Sequence, residues 1–237
     1  VYYRRFVRNG AALNAEKKEK LREIDSELAS LSPKFSTNVR NATNSFELVI
    51  TNKKDLEGLP KTVIDAAYEE AALKNKKGKW LFTLDFPSMM PVMKYLKNRT
   101  LREKMSKAFS QKCFGDKFDN SNLIKNIVSL KHKRAILLGY KNFAEYTLEE
   151  RMAGSSSTVY ELLDGIYDHC FPVAKNEIAE LKTFAQAEDN IENLMPWDYA
   201  YYAEKLKKML FEIDEQEFRP YLSSDKVISG VFEIAKK

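Results

Sequence analysis

The feature that most constrains this chain is the helical spacing of its apolar residues. Between residues 21 and 39 they recur every three or four positions, at Leu21, Ile24, Leu28, Leu31, Phe35 and Val39. About 3.6 residues make one turn of an α-helix, so this spacing lines them up along one side. The sequence therefore predicts one long helix here, kinked at Pro33, because proline removes a backbone donor and clashes with the preceding turn.

Most of the remaining chain carries the same helical signals. Pro60 suits an early position of a helix that runs through Ala72. After Pro87 the helical patterns continue to the end of the chain, interrupted by glycines and polar turn residues. The longest of them covers residues 155–189, and we expect Pro172 to kink it.

Two short segments are rich in the β-branched and aromatic residues typical of strands. They are residues 47–51 and 79–85, and we expect them to pair as a small ribbon. The predicted fold class is therefore mainly α, a multi-helix array with one small two-stranded β element. No repeat, linker or change in composition marks a boundary, so residues 1–237 are interpreted as a single helical segment.

Charge and hydropathy exclude two classes of partner. The net charge is +5, but the basic residues alternate with glutamates, as in EKKEKLREIDSE, instead of forming the basic surface of a nucleic-acid-binding protein. No apolar run approaches the roughly 20 residues of a membrane-spanning helix. The two cysteines are too few for a disulfide framework and suit a reducing compartment, so we expect a cytoplasmic protein.

The residues that could carry catalysis are few. Neither His132 nor His169 has a second histidine four positions away, the spacing that lets two imidazoles bind one metal on a helix. A cysteine–histidine dyad with Cys113 or Cys170 remains open, although an ordinary buried thiol is the simpler interpretation.

Two pairs of adjacent carboxylates also occur, at Glu149-Glu150 and Asp214-Glu215. Adjacent acids on a helix are usually solvated, and a general acid–base pair is the alternative. The sequence contains no G-x-S-x-G elbow and no phosphate-binding glycine loop. These residues by themselves supply no complete catalytic site.

The segment PWDYAYYAEKLKK, residues 196–208, has an unusual density of aromatic residues. At about 100° per residue, Trp197, Tyr201 and Glu204 share one face of a helix, and Asp198, Tyr202 and Met209 share the next. Tyr199 and Leu206 lie on a third face. This distribution predicts a helix buried between neighbours, with Asp198 at the positive end of the helix dipole.

Several segments, in consistent order along the whole chain, resemble the thimet-oligopeptidase family of zinc metallopeptidases. They are RRFVRNGA, KGKWLFTLDFPSMMPVMKYLKNRTLREKM, LLGYKNFAEYTLEERMA, PWDYAYYAEKLKK and IDEQEFRPYLSSDKVISGVFEIAKK. Within that family the chain looks most like the bacterial peptidyl-dipeptidase (dipeptidyl carboxypeptidase) branch.

The resemblance implies a mostly helical, two-lobed enzyme with a deep channel that admits short peptides. It also implies zinc as the cofactor, held by the two histidines of an H-E-x-x-H motif and a downstream glutamate, with the glutamate of the motif as general base. The substrates implied are oligopeptides, from which peptidyl-dipeptidases release C-terminal dipeptides.

The sequence contains no H-E-x-x-H, and the family places that motif beyond residue 237. The resemblance therefore implies that this chain is a non-catalytic helical portion that binds no metal. Its partner would be the C-terminal catalytic portion of the same protein. An expressed fragment and a natural truncation both fit this interpretation. The alternative is a helical module that binds peptides or proteins without catalysis.

Under the peptidase interpretation, the aromatic segment has two possible roles. Its side chains either form core, with their polar ends hydrogen-bonded, or they face the peptide channel or the missing lobe. The candidate channel residues are Asp198, Tyr199, Tyr201 and Tyr202.

Overall fold

The computed structural model describes residues 2–212, 215–218, 221 and 223–236. The fold is mainly α with one small two-stranded sheet, which confirms the predicted fold class. The chain divides into two compact units, each built from two stretches of sequence. Unit 1 comprises Val1–Phe46 and Ala108–Glu177, and unit 2 comprises Glu47–Lys107 and Ile178–Lys237. The prediction that residues 1–237 form one segment of a larger two-lobed enzyme stays a prediction.

Unit 1 contains the long helix that the apolar spacing predicts. The helices of this unit are α1 (Tyr2–Arg8), α2 (Ala15–Ser45), α6 (Ser121–Leu137), α7 (Phe143–Leu148) and the first part of α8 (Ser156–Asp189). The predicted apolar stripe of α2 is confirmed, because its residues are buried or half-buried, whereas most of the helix is exposed.

Helix α2 packs along α6, and a buried asparagine joins the two. Asn120, just before α6, accepts a hydrogen bond from Asn38 (2.8 Å) and donates one to the carbonyl of Phe35 (3.3 Å). On the surface, Arg134 pairs with Asp25 at 2.7 Å. The two helices are therefore held by polar contacts as well as by the apolar stripe.

The two strands of unit 2 confirm the predicted ribbon. Strand β1 (Leu48–Ile50) pairs antiparallel with β2 (Trp80–Phe82), with Val49 opposite Leu81. Between them lie a short 3-10 helix (Lys53–Leu56) and helix α3 (Lys61–Leu73). Pro60 directly precedes α3, whereas the sequence predicts it as an early residue of the helix.

The remaining helices of unit 2 lie after β2 in the chain, where the sequence predicts continued helix. They are α4 (Phe86–Tyr95), α5 (Arg99–Ser110, of which residues 99–107 belong to unit 2), the last part of α8, α9 (Tyr199–Phe211), α10 (Glu215–Phe218) and α11 (Ser224–Ala235). Helix α11 begins after Ser223, whose hydroxyl accepts from the amide of Lys226.

The two long helices with a predicted proline kink, α2 and α8, continue through their prolines. Pro33 lies inside α2 and Pro172 inside α8. One missing donor leaves the surrounding hydrogen bonds of a long helix in place, so proline bends a helix more often than it ends one. The kinks expected at these two positions stay predictions.

Candidate functional site

The aromatic segment enters helix α9 through a buried acid. Asp198 directly precedes the helix and is completely buried, but its side chain makes no capping hydrogen bond to α9. Its carboxylate instead accepts a hydrogen bond from the amide of Met195 (3.0 Å) and several from two arginines of α5. The negative charge at this helix start is therefore balanced mainly by guanidinium groups.

The two arginines are three positions apart, so both side chains lie on one side of α5. Arg99 donates to Asp198 from Nη2 at 2.7 Å and from Nε at 3.0 Å. Arg102, which is only 1% exposed, donates to Asp198 from Nη2 at 3.0 Å. A buried carboxylate is tolerated when it is paired and fully hydrogen-bonded, as it is here.

Arg102 also donates hydrogen bonds to three backbone carbonyls beside its ion pair with Asp198. Its Nη1 donates to the carbonyls of Leu96 (2.8 Å) and Lys97 (3.1 Å), and its Nε donates to the carbonyl of Trp197 (3.1 Å). Because arginine presents its donors in a rigid fork, these bonds fix the end of α4 and the start of α9 in one geometry.

The surroundings of Asp198 also set its ionisation. Burial acts to raise the pKa of this carboxyl, but hydrogen bonds from Arg99, from the Met195 amide and from Arg102 outweigh burial. The pKa of Asp198 is therefore lowered, and the group is a carboxylate at neutral pH. Such a group holds the local structure together and is poorly suited to act as a base.

Tyr201 and Tyr202 are both buried, but they differ in what they contact. The Arg102 guanidinium lies over the Tyr201 ring, 4.0 Å from its centre, and the two tyrosine rings meet edge to face. The Tyr202 hydroxyl donates to Asp189 at 3.0 Å. Burial raises the pKa of the Tyr202 hydroxyl most, and this hydrogen bond raises it further.

The buried faces of these tyrosines form one hydrophobic cluster with the end of α8. Leu181 and Ala185 complete its centre, and Tyr199 packs against it from a half-buried position. Trp197 is buried as well, and its Nε1 has no acceptor among the described residues. The prediction of a buried aromatic helix is confirmed for residues 197–202.

The same prediction is wrong for the last turn of α9. Met209, placed on a buried face from the sequence, is 58% exposed, and Leu210 and Phe211 are exposed too. The hydrophobic cluster reaches only as far as Leu206 along α9. Helical periodicity assigns residues to faces, but burial also requires a neighbour at that height along the helix.

A groove of about 520 Å³ lies beside Tyr201 in unit 2. It is lined by Tyr95 and Tyr201, by the backbone near Gly58, and by the charged residues Lys61, Lys94, Glu204, Lys205 and Lys208. Gly58 has φ +93°, and a side chain there would collide with the carbonyl oxygen of Tyr95, so this wall requires glycine.

The groove is basic and its volume suits a small ligand or a few peptide residues. Lys94 pairs with Glu204 at 3.2 Å, and Lys205 pairs with Glu188 at 2.9 Å. Two of the four lysines in the lining are thus paired with carboxylates, and Lys61 and Lys208 bring further positive charge to the groove. An anionic or carbonyl-rich ligand is therefore the chemistry that the groove favours.

The four sequence-predicted candidates do not form one surface. Of these, Tyr201 lines the groove, whereas Asp198 and Tyr202 are core residues and Tyr199 packs beside them. Sequence reasoning missed Arg99 and Arg102, the partners of Asp198. Their i, i+3 spacing within NRTLREKM was the available signal, because two cations on one helix face call for an acid nearby.

The other candidate chemistry is dispersed. Cys113 is buried. Burial raises the pKa of its thiol most, and the negative charge of nearby Asp116 raises it further. Cys170 is exposed, and the Nδ1 of His169 lies 2.7 Å from the carbonyl of Gly165. Within the described part of the chain, no hydrogen bond joins a cysteine to a histidine.

The adjacent carboxylates Glu149 and Glu150 are exposed, as predicted, but they are also paired. Glu149 and Glu150 both form salt bridges with Arg8, which is buried, and the Tyr140 hydroxyl donates to Glu149. The pair thus neutralises a buried cation. Asp214 and the side chain of Glu215 lie outside the described residues.

The described part of the chain shows neither a metal-ligand cluster nor a membrane-spanning helix. Among residues 2–212, 215–218, 221 and 223–236, no group of three histidine, cysteine, aspartate or glutamate side chains is arranged to hold a metal ion. No described helix combines the length and apolar character needed to cross a bilayer.

Comparison with known proteins links this sequence to a family. Residues 92–237 match the model of peptidase family M3. The chain is 37% identical to oligopeptidase A of Salmonella typhimurium over 239 residues, which cover 99% of this chain and 35% of the relative. It is 38% identical to the probable cytosolic oligopeptidase A of Arabidopsis thaliana, covering 97% of this chain and 34% of that protein.

Similarity to the dipeptidyl carboxypeptidase of Escherichia coli is lower, at 28% identity over 100% of this chain and 35% of that protein. These identities favour the oligopeptidase A branch over the predicted peptidyl-dipeptidase branch. The chain spans about a third of the length of these relatives. The predicted family is confirmed, and the chain belongs to peptidase family M3.

Proposed function

We propose that this chain is a non-catalytic helical portion of a zinc metallopeptidase that hydrolyses oligopeptides. The observation that carries the proposal is the match to oligopeptidase A over nearly the whole of this chain but about a third of the relative. The parent protein would then be the enzyme, and its zinc ligands and general base would lie outside these 237 residues. A cytoplasmic parent fits the relative named as cytosolic.

The described residues do not fit a zinc site, because they hold no suitable group of three ligands. No step of hydrolysis is therefore assigned to this chain. Its proposed contribution is to the wall of the peptide channel, and Tyr201 is the candidate that carries it. Tyr201 lines the basic groove, and its hydroxyl could bond to a peptide carbonyl or carboxylate there.

Asp198 has a supporting role in this proposal, whereas Tyr202 and Tyr199 belong to the hydrophobic cluster beside it. The ion pair from Asp198 to Arg99 and Arg102 positions the start of α9, and Arg102 stacks on Tyr201. A fixed ring position is what a peptide-binding wall requires, since misplacement of a contact weakens binding.

The test of the proposal uses the full-length parent and the 237-residue chain side by side. We expect the parent to contain stoichiometric zinc by elemental analysis and to cleave an oligopeptide in a chelator-sensitive reaction. The chain alone should do neither. Stoichiometric zinc in the chain, or a parent reading frame that lacks H-E-x-x-H, would contradict the proposal and favour an interaction module.

The role of Tyr201 has its own test, with Tyr202 as the matched control. We expect Tyr201→Phe to lower kcat/KM of the parent by about 2- to 10-fold, because one neutral hydrogen bond contributes about 0.5–1.5 kcal/mol. Tyr202→Phe should lower stability and leave turnover unchanged. Unchanged turnover in both variants would assign the whole segment to the core.

A second candidate activity is release of C-terminal dipeptides, supported by the 28% identity to dipeptidyl carboxypeptidase over the whole chain. Mass spectrometry of the products from a ten-residue peptide separates the two activities. Successive loss of dipeptides from the C-terminus supports this candidate. Internal cleavage at varied distances from the C-terminus supports an oligopeptidase.

A further inference from the structure

The first part of helix α8 exposes an apolar surface that no described residue covers. Seven large hydrophobic side chains on it are 49–65% exposed, and a cysteine among them is exposed too. We call this surface the apolar face of α8; its residues are Tyr160, Leu162, Leu163, Ile166, Tyr167, Cys170, Phe171 and Val173.

These residues lie together on the helix. At about 100° per residue they occupy about half of its circumference, and the opposite half carries Glu161, Asp164, Asp168 and Lys175. Tyr167 and Phe171 stack at 4.9 Å between ring centres. A helix with this division of residues normally buries its apolar half against other protein.

The chemistry of the two halves argues against a membrane or a charged ligand as the occupant. The residues of the apolar face include no lysine, arginine or histidine, so the face offers no cation to a phosphate or a carboxylate; its polar groups are two tyrosine hydroxyls and the Cys170 thiol. The polar half is mainly acidic, which disfavours attachment to an anionic bilayer surface. The occupant is therefore an apolar protein surface.

The length of the relatives indicates where that surface comes from. This chain corresponds to about 35% of oligopeptidase A, so most of the relative's polypeptide has no counterpart here. Helix α11 has the same property, since Val227, Ile228, Val231 and Phe232 are all exposed. A segment of the same polypeptide binds at a high effective concentration, which favours it over a separate partner.

We propose that the apolar face of α8 is an intramolecular interface, covered in the full-length protein by the catalytic portion of the same polypeptide. This proposal rests on one part of the proposed function, namely that the full-length parent has a catalytic portion outside these 237 residues. It identifies residues 160–173 as a surface that holds the two parts of the enzyme together.

Cys170 lies on this face and reports its burial in the full-length parent. Native protein is treated with N-ethylmaleimide, and the alkylated peptides are quantified by mass spectrometry against protein unfolded in guanidinium. The matched control is Asp168→Cys on the polar half of the same helix. Because a thiol buried at a stable interface reacts only after local opening, we expect Cys170 to react at least about tenfold more slowly than the control cysteine.

Equal rates for Cys170 and the control cysteine would overturn the proposal. If the protection of Cys170 disappears when the protein is diluted, the occupant is a second copy of the protein. If the protection requires added oligopeptide, the occupant is substrate. Either result overturns the proposal. In a second arm, Ile166→Glu should speed alkylation of Cys170, whereas Asp164→Lys should not. If the parent is inactive but its Cys170 is protected, only the proposed peptidase function is contradicted. If the parent is active but its Cys170 reacts as fast as the control cysteine, only the interface proposal is contradicted.

Discussion

Two segments of this protein are rich in aromatic residues, and the structure treats them in opposite ways. Residues 197–202, at the start of α9, are largely buried around Asp198 and Arg102. Residues 160–173 of α8 carry Tyr160, Tyr167 and Phe171, and all three are at least half exposed. Aromatic density by itself therefore does not decide whether a helix forms core.

The difference arises from partners that are distant in sequence. The start of α9 meets Arg99 and Arg102, about a hundred residues earlier, and the end of α8 supplies Leu181 and Ala185. The apolar face of α8 meets no such partner among the described residues. Burial of a charge requires its counter-charge at the same place, so the first segment is an assembled core.

The largest effect that would sharpen this comparison is loss of the buried acid. Asp198→Ala leaves Arg102 buried without its carboxylate, and removing one partner of a buried pair costs about 3–5 kcal/mol. We expect that decrease in the free energy of unfolding, measured by urea denaturation with tryptophan fluorescence and circular dichroism. The control Asp164→Ala on the polar half of α8 should change it by less than about 0.5 kcal/mol. Equal effects of the two substitutions would show that the Asp198 cluster is not a core.

The pH dependence of stability provides a second, smaller effect. A carboxyl whose pKa is lowered in the folded protein contributes stability that is fully present above its unfolded pKa, about 3.9, and is lost as pH falls through the folded pKa. The pKa of Asp198 is lowered despite the opposing effect of burial. The difference in unfolding free energy between wild type and Asp198→Asn should therefore be largest at pH 7 and shrink below about pH 4. A difference independent of pH would contradict the charged pair.

The smallest effect compares two tyrosine hydroxyls. Tyr202→Phe removes the hydrogen bond to Asp189 and should lower the free energy of unfolding by about 1 kcal/mol. Tyr167→Phe on the exposed face of α8 should leave it within about 0.5 kcal/mol. Thermal and urea denaturation of both variants measure the contrast. A larger loss for Tyr167→Phe would reverse the assignment of core and surface.

Local pattern was enough to predict most of the secondary structure. The apolar spacing predicted α2, the β-branched runs predicted β1 and β2, and the long amphipathic pattern predicted α8. These signals depend on side chains a few positions apart. Helix ends were less predictable: Pro60 was expected to be an early residue of α3, but it directly precedes that helix.

The candidate site depended on contacts that local pattern does not contain. The sequence by itself determined the helices, the aromatic density of residues 197–202 and, through long matching segments, the family. Only the tertiary structure decided that Asp198 pairs with Arg99 and Arg102, that Tyr202 is core and that Tyr201 lines a groove. The physical reason is that periodicity assigns a residue to a face of its own helix, whereas burial and charge pairing depend on which distant residues meet that face.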